Sequence, residues 1–302
     1  MNHSSRVVGL VGLGLVGSAL GRRLLAAGFD VLGYDVDAAR REAFAAAGGR
    51  AAESLAAIGA KCERVLLALY DTATVEQVLE GSDGMLGARH QAILIVDCGT
   101  GDPDRRAGLA LRLVAHGATL VEAPLSGSSA QIAAGEALCF VGGEPGAVER
   151  AADLLDAIAA RRHHVGAVGM AARAKLATNL VLGLNRAALA EGLVFAEALG
   201  LPGKTFIDLL RDSPAYSRAV DAKAGKMLAG DFAPQARLEQ HARDVGLMLE
   251  HAAALGQVLP MTEAHARLLA DAIAAGDGDL DNSAVIVQIR RYRTHVARSS
   301  GA

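Results

Sequence analysis

Apolar residues fall along this chain in two rhythms. Up to about residue 165, short apolar runs recur at Val7–Val11, Val31–Tyr34, Val65–Leu69, Ile93–Val96 and Leu120–Val121, with later ones at Leu138–Val141 and His164–Val165. Runs of this length, bounded by Gly, Asp and other turn formers, predict buried strands. Between the early ones, Ser18–Ala27 and Ala38–Ala47 carry apolar residues at three- and four-residue intervals, which predicts amphipathic helices. Strand and helix in alternation predict a mostly parallel sheet covered on both faces.

The rhythm changes at Gly166. From Met170 to Leu199 the chain has helical propensity throughout and is apolar nearly all round, so this helix is expected to be buried between partners. Gly200-Leu201-Pro202 ends it. Further helices are predicted at Thr205–Leu210, Ala219–Leu228, Leu238–Leu255 and Glu263–Ala275, and the acidic stretch Gly276–Asp281 reads as a loop before a last helix. The expected organisation is an α/β domain over 1–165 and an all-α domain over 166–302, joined by the long helix at about 170–199.

Composition narrows the class. A chain of 302 residues has room for two domains, and 52% hydrophobic with 21% charged residues describes a globular protein. Mean hydropathy of +0.28 invites a membrane reading, but Gly, Ala, Arg and Asp interrupt the apolar stretches, and no spanning segment is expected. Met1–Arg6 is short and polar, without the apolar core of a secretory signal, so a cytoplasmic location is expected. A net charge of −3 and the absence of a basic run give no nucleic-acid footprint. The pairs Arg22-Arg23, Arg40-Arg41, Arg105-Arg106 and Arg161-Arg162 read as solvated helix edges. Cys62, Cys98 and Cys139 are scattered and odd in number, which fits buried reduced thiols. Neither they nor the histidines, His163-His164 at a strand end included, have metal-ligand spacing, and no metal is expected.

The first run leads into Gly12-Leu13-Gly14-Leu15-Val16-Gly17 and then a helix. This is G-x-G-x-x-G between a strand and a helix, the fingerprint of a Rossmann dinucleotide site. Gly12 permits the tight turn, Gly14 lets the backbone approach a pyrophosphate, and Gly17 lets the helix pack on the strand. The helix N-terminus supplies N–H groups and partial positive charge to the phosphates. Asp35 closes the second strand about twenty residues on, where a carboxylate accepts from ribose hydroxyls and repels a 2′-phosphate. NAD is therefore expected over NADP; Arg40 and Arg41 nearby weaken that preference and leave NADP possible.

Two later segments carry further chemistry. Glu122-Ala123-Pro124-Leu125-Ser126-Gly127-Ser128 leaves a strand for a small-residue turn ending near Gly135. The long helix carries Lys175 and Asn179, four apart and so on one face. A helical lysine is most often a solvated surface residue, but here Ala174, Leu176, Ala177 and Leu180 around it are apolar. With VDCGTGDP around Thr100, EAPLSGSSAQIAAGEAL, GAVGMAARAKLATN, ARDVGLMLE around Asp244 and DNSAVI at Asp281–Ile286, the chain resembles the β-hydroxyacid dehydrogenase family over nearly its whole length.

That resemblance implies a Rossmann domain joined by a long helix to a helical domain that builds a homodimer or homotetramer. It implies hydride transfer between NAD(P) and the hydroxyl-bearing carbon of a small β-hydroxy acid. Lys175 would be the general acid/base, Asn179 would help hold the substrate, and Ser126 and Gly127 would bind its carboxylate. Thr100 would lie beside the nicotinamide ribose, and Arg243 is assigned to the cofactor side. The chain departs from the family at several points. Glu122 stands for the usual Asp, Leu125 for Val, Ser128 for a second glycine, Thr178 for an Asn and Arg243 for a Lys; Met170 and Ala171 remove a glycine near the helix start. Ala236, where an aromatic is common, suggests a roomier pocket. The alternatives are an imine reductase of the same fold, disfavoured by Lys175, and a non-catalytic NAD(P)-binding protein, disfavoured by Lys175 with Asn179.

Overall fold

The computed structural model of the chain describes residues 6–87 and 92–293. Most of the Met1–Arg6 segment lies outside the described residues. The strands are β1 (Val7–Val11), β2 (Asp30–Tyr34), β3 (Arg50–Ala51), β4 (Arg64–Leu67), β5 (Ile93–Asp97), β6 (Ala118–Glu122), β7 (Leu125–Ser126), β8 (Leu138–Gly142) and β9 (Arg161–Gly166). They form one sheet in the order β3-β2-β1-β4-β5-β6-β8-β7, with β9 paired to β8. From β3 to β6 every pairing is parallel, whereas β8 runs antiparallel to β6 and β7. This is the Rossmann order with an added antiparallel flank. The chain leaves β1 toward β2 on one side and returns to β4 on the other, so β1 marks the switch point at which such sheets bind ligands.

The apolar runs are continuous because both sheet faces are covered. Val8, Leu10, Leu66, Val96 and Val121 pack into one core, and Val11, Val65, Leu67, Ile95 and Leu120 into the other. Neighbours on a strand thus feed opposite layers, as the two-residue strand period requires. Each fully buried aliphatic side chain contributes roughly 1.5–3 kcal/mol to holding the layers together.

The second half is helical: Met170–Ala198, Gly203–Arg211, Gly225–Ala229, Leu238–Ala254, Pro260–Ala274 and Val285–Arg291. The stretch expected as one helix at Ala219–Leu228 opens as a π-helical turn, Val220–Ala224, which brings Lys223 inward. Lys223 Nζ lies 2.8 and 3.0 Å from the two Asp281 carboxylate oxygens. Asp281 also accepts from Ser283 and from the backbone N–H groups of Gln235 and Ala236. Burial alone would push its carboxyl up; these bonds outweigh it and bring the pKa to about 2.

Two compact units divide between Leu176 and Ala177, inside the long helix, whereas the sequence boundary at 165/166 puts that whole helix in the second domain. Nor is the helix buried all round. Ala171, Lys175, Asn179, Gly183, Arg186, Ala190 and Leu193 form a buried face, while Val181, Ala188 and Phe195 are exposed. By length and composition the helix is apolar enough to cross a bilayer, contrary to the expectation that every apolar stretch is interrupted; its buried face carries Lys175, Asn179 and Arg186, as in a core helix.

Candidate active site

The loop after β1 separates glycines the protein needs for itself from one it leaves open. Gly12 has φ +91°, and a Cβ there would lie 2.4 Å from the Ala68 carbonyl oxygen. A Cβ on Gly17 would sit 1.8 Å from the Gly12 carbonyl oxygen, so the helix approaches the strand only without one. At Gly14 the nearest atom is an Arg40 guanidinium nitrogen at 3.8 Å. The chain itself does not forbid a side chain at Gly14, and the free space above it is what a pyrophosphate needs. Leu13 is buried beneath the loop, Val16 half-buried and Leu15 exposed. The following helix, Leu15–Ala26, has neither a side-chain N-cap nor an acidic residue in its first turn. Its first N–H groups are thus left for an anionic ligand.

Asp35, at the end of β2, is buried and already engaged. Its Oδ2 accepts the backbone N–H of Leu13 (2.7 Å) and pairs with Arg40 (3.4 Å), and its Oδ1 accepts from the Asp37 N–H (3.0 Å). Arg41 donates to the Asp35 carbonyl oxygen (2.6 Å). The carboxylate therefore ties the second strand to the glycine loop, with a half-exposed cation beside it. Arg40 and Arg41 are partners of this residue and more than the solvated helix edge expected of them.

On the other side of the switch point, Thr100 is half-buried three residues beyond β5. Lys175 is buried, and its Nζ donates to the carbonyl oxygen of Leu125 (2.7 Å). The lysine is therefore held next to Ser126 and Gly127, half-buried and exposed respectively. The expected small-residue turn is instead the two-residue strand β7 and a helix, Ser129–Ala134, ended by Gly135 in the left-handed region. Ser128, standing for a glycine, is the N-cap of that helix in a capping box with Gln131. Ser-x-x-Gln was visible in the sequence and could have revealed it.

Within the helical unit, Asn179 Nδ2 donates to Asp244 Oδ2 (3.2 Å), and both residues are buried. Arg243 is half-buried beside Asp244 on the helix Leu238–Ala254. Asn179 follows Lys175 by one helical turn on the same buried face. Sequence reasoning also missed a wholly buried ionic cluster of Asp97, Arg106 and Glu122. Arg106 is no solvated edge, although its neighbour Arg105 is exposed and pairs with Glu76. Arg161 and Arg162 lie on β9 and not on a helix.

Comparison with known proteins agrees with this geometry. Residues 7–169 match a family model described as the NAD binding domain of 6-phosphogluconate dehydrogenase. Residues 169–289 match one described as NAD-binding of NADP-dependent 3-hydroxyisobutyrate dehydrogenase. An L-threonate dehydrogenase of Cupriavidus necator is 31% identical, with 93% of this chain and 95% of the relative covered. The chain belongs to the β-hydroxyacid dehydrogenase family. A second family relative, 2-(hydroxymethyl)glutarate dehydrogenase of Eubacterium barkeri, is 32% identical over 97% of this chain and 98% of its own. The crystal structure of a 3-hydroxyisobutyrate dehydrogenase from Salmonella typhimurium superposes with a TM-score of 0.85 at 27% identity, covering 93% of this chain and 99% of that one. As in the family, the N-terminal unit is an NAD(P)-binding Rossmann domain and the remainder is helical.

Proposed function

We propose that this family member moves a hydride between NAD(P) and the hydroxyl-bearing carbon of a small β-hydroxy acid, with Lys175 as general acid/base. The observation that carries the reading is a buried lysine whose amino group is held at Leu125, beside the Ser126–Gly127 segment and one turn before Asn179. The named activities of the relatives, on L-threonate and 2-(hydroxymethyl)glutarate, support the substrate class.

Oxidation of an alcohol needs a base on the hydroxyl as hydride leaves the same carbon. As the neutral amine, Lys175 takes that proton; in the reverse direction its ammonium form returns one to the developing alkoxide. The Leu125 carbonyl fixes the direction of Nζ, which limits the geometries in which the proton moves. Ser126 offers a hydroxyl and Gly127, an exposed residue, its backbone N–H to the substrate carboxylate, and Asn179, braced by Asp244, offers an amide to the substrate. Gly12–Gly17, Thr100 and Arg243 hold the dinucleotide, which when bound supplies the redox partner. The Asp35 carboxylate favours NAD; Arg40, paired with it and half-exposed, permits NADP.

A homo-oligomer goes with this reading. Val181, Ala188 and Phe195, seven apart on the long helix, leave an exposed apolar stripe suited to a second copy of the chain. Light scattering on the purified chain tests this, and a strictly monomeric mass rejects it.

The activity is tested by screening 3-hydroxyisobutyrate, glycerate, threonate and related sugar acids with NAD and NADP, with Lys175→Ala as control. Turnover of one acid that falls by about 10³-fold in the variant is expected. A variant at wild-type turnover on a true substrate removes the lysine from the mechanism.

A further inference from the structure

Three wholly buried ionic side chains meet beneath the strand ends that carry the reacting groups. Arg106 Nη2 lies 2.7 Å from Asp97 Oδ2, a close ion pair whose angles fall outside hydrogen-bonding range. Its Nη1 donates to the Gly99 carbonyl oxygen (3.1 Å) and lies 3.6 Å from Glu122 Oε1. The second Glu122 oxygen, Oε2, accepts the backbone N–H groups of Gly169 (2.6 Å) and Ala171 (3.2 Å). Glu122 is thus the N-terminal cap of the helix that carries Lys175, reached from a strand distant in sequence. A buried charge confined by one guanidinium and two N–H groups has little freedom, because leaving any partner strands the charge.

The same strand end acts on Lys175 a second time. Glu122 closes β6, and Leu125, three residues on, is the carbonyl to which Lys175 Nζ donates. The backbone start of the helix and the tip of its lysine are therefore both referred to one short segment, 122–125. Gly169, at φ +97°, allows the helix start to turn into this position. Arg106 ties the Gly99–Thr100 loop to the same cluster.

We propose that Glu122, backed by Arg106, is a positioning residue that fixes Lys175 against the Leu125–Gly127 segment and so sets its competence in proton transfer. The inference rests on the assignment of Lys175 as the acid/base. Its reach is the decisive property: Glu122→Asp keeps the charge but withdraws it by about 1.5 Å, one carbon–carbon bond, out of contact with Gly169. Glu122→Gln keeps the reach and loses the charge.

Hydrogen–deuterium exchange over residues 168–176, the rate of Lys175 modification by an amine-directed reagent, and kcat with its pH profile are measured on the intact chain. In Glu122→Asp, exchange is expected to rise about tenfold and kcat to fall about tenfold, with the KM for dinucleotide within about twofold and the pH profile displaced. Glu122→Gln is expected between the two, at about threefold in each. Unchanged exchange overturns the inference, and so does raised exchange with wild-type kcat and pH profile, which is the mark of a purely structural cap. If wild type turns over no hydroxy acid, the functional reading fails separately, and the Lys175 modification rate decides: a changed rate in Glu122→Asp supports the inference and an equal one overturns it. Should Glu122→Asp not fold, Glu122→Gln carries the same test.

Discussion

The two units treat buried charge differently. In the N-terminal unit, Asp97, Arg106 and Glu122 are wholly buried, and each has a counter-charge within 4 Å or a backbone partner. In the helical unit Lys223 and Asp281 do the same, whereas Arg186 and His265 have no ion pair among the described residues, only the field of Asp281 on Arg186 and of Arg186 on His265. One guanidinium nitrogen of Arg186 and Nε2 of His265 are buried without a hydrogen-bonding partner among the described residues; Asp97 Oδ2, Arg106 Nη2 and Glu122 Oε1 lack one too, but there an opposite charge lies within 4 Å. The consequence is a change of basicity. Burial, with the nearby Arg186 charge second, pulls His265 down to about 4, and burial pulls Arg186 down to about 10 against the field of Asp281. A buried polar group that lies away from strand ends, helix starts and loops finds no free backbone donor or acceptor, and burial then shifts its basicity.

The sharpest way to break this comparison is to disturb the backbone on which the first unit depends. Gly17→Ala forces a Cβ onto the Gly12 carbonyl oxygen and is expected to destabilise the N-terminal unit by about 4 kcal/mol, read by denaturant unfolding. A stable Gly17→Ala protein would mean that the helix is not held so tightly to β1.

The second test is acid. His265 has an ordinary pKa of 6.5 and a folded value of about 4, so the unfolded chain takes up the proton first. Stability is fully present above pH 6.5 and is lost as pH falls toward 4, by about 3 kcal/mol from this residue. His265→Gln should flatten that limb in thermal melts between pH 7 and 4.5; an unchanged slope assigns the acid sensitivity elsewhere.

Gly14→Ala should do the opposite of Gly17→Ala. The fold accommodates the methyl, so the melting temperature stays, while dinucleotide affinity by titration falls about tenfold. The smallest effect concerns cofactor choice. Asp35→Ala should shift the NADP-to-NAD ratio of kcat/KM upward about fivefold and Arg40→Ala downward by a similar factor. Identical shifts in both variants would remove the pair from cofactor discrimination.

What was legible in the sequence follows the same division. The glycine loop and its strand could be read because their backbone geometry admits few residues. Lys175 could not be picked out by periodicity, which reads it as one more helical lysine, and it emerged only from several motifs in order. Arg106 was misread because a pair of adjacent arginines suggests one environment, although neighbours on a helix point about 100° apart, here one outward and one into the core. Glu122 looked like an exchange of one acid for another, and its additional methylene acquires a purpose only beside Gly169 and Ala171. His265 has no local signature at all. Its environment is made by helices that meet only in the folded unit.

The long helix also constrains what mutation can do to this lineage. Residues in a helix are locked in phase, so any substitution between Gly169 and Asn179 leaves Lys175 and Asn179 on a common face. Insertion or deletion of one residue between the Glu122 cap and Lys175 turns everything beyond it by about 100° and carries the lysine away from Leu125, to the place now held by Leu176 or Ala174. Length over this turn and a half therefore constrains the site independently of residue identity. Within Met170–Ala174 the exposed Met170 and Arg173 can vary while the fully buried Ala171 and Ala172 cannot, and the number of residues is fixed for all of them.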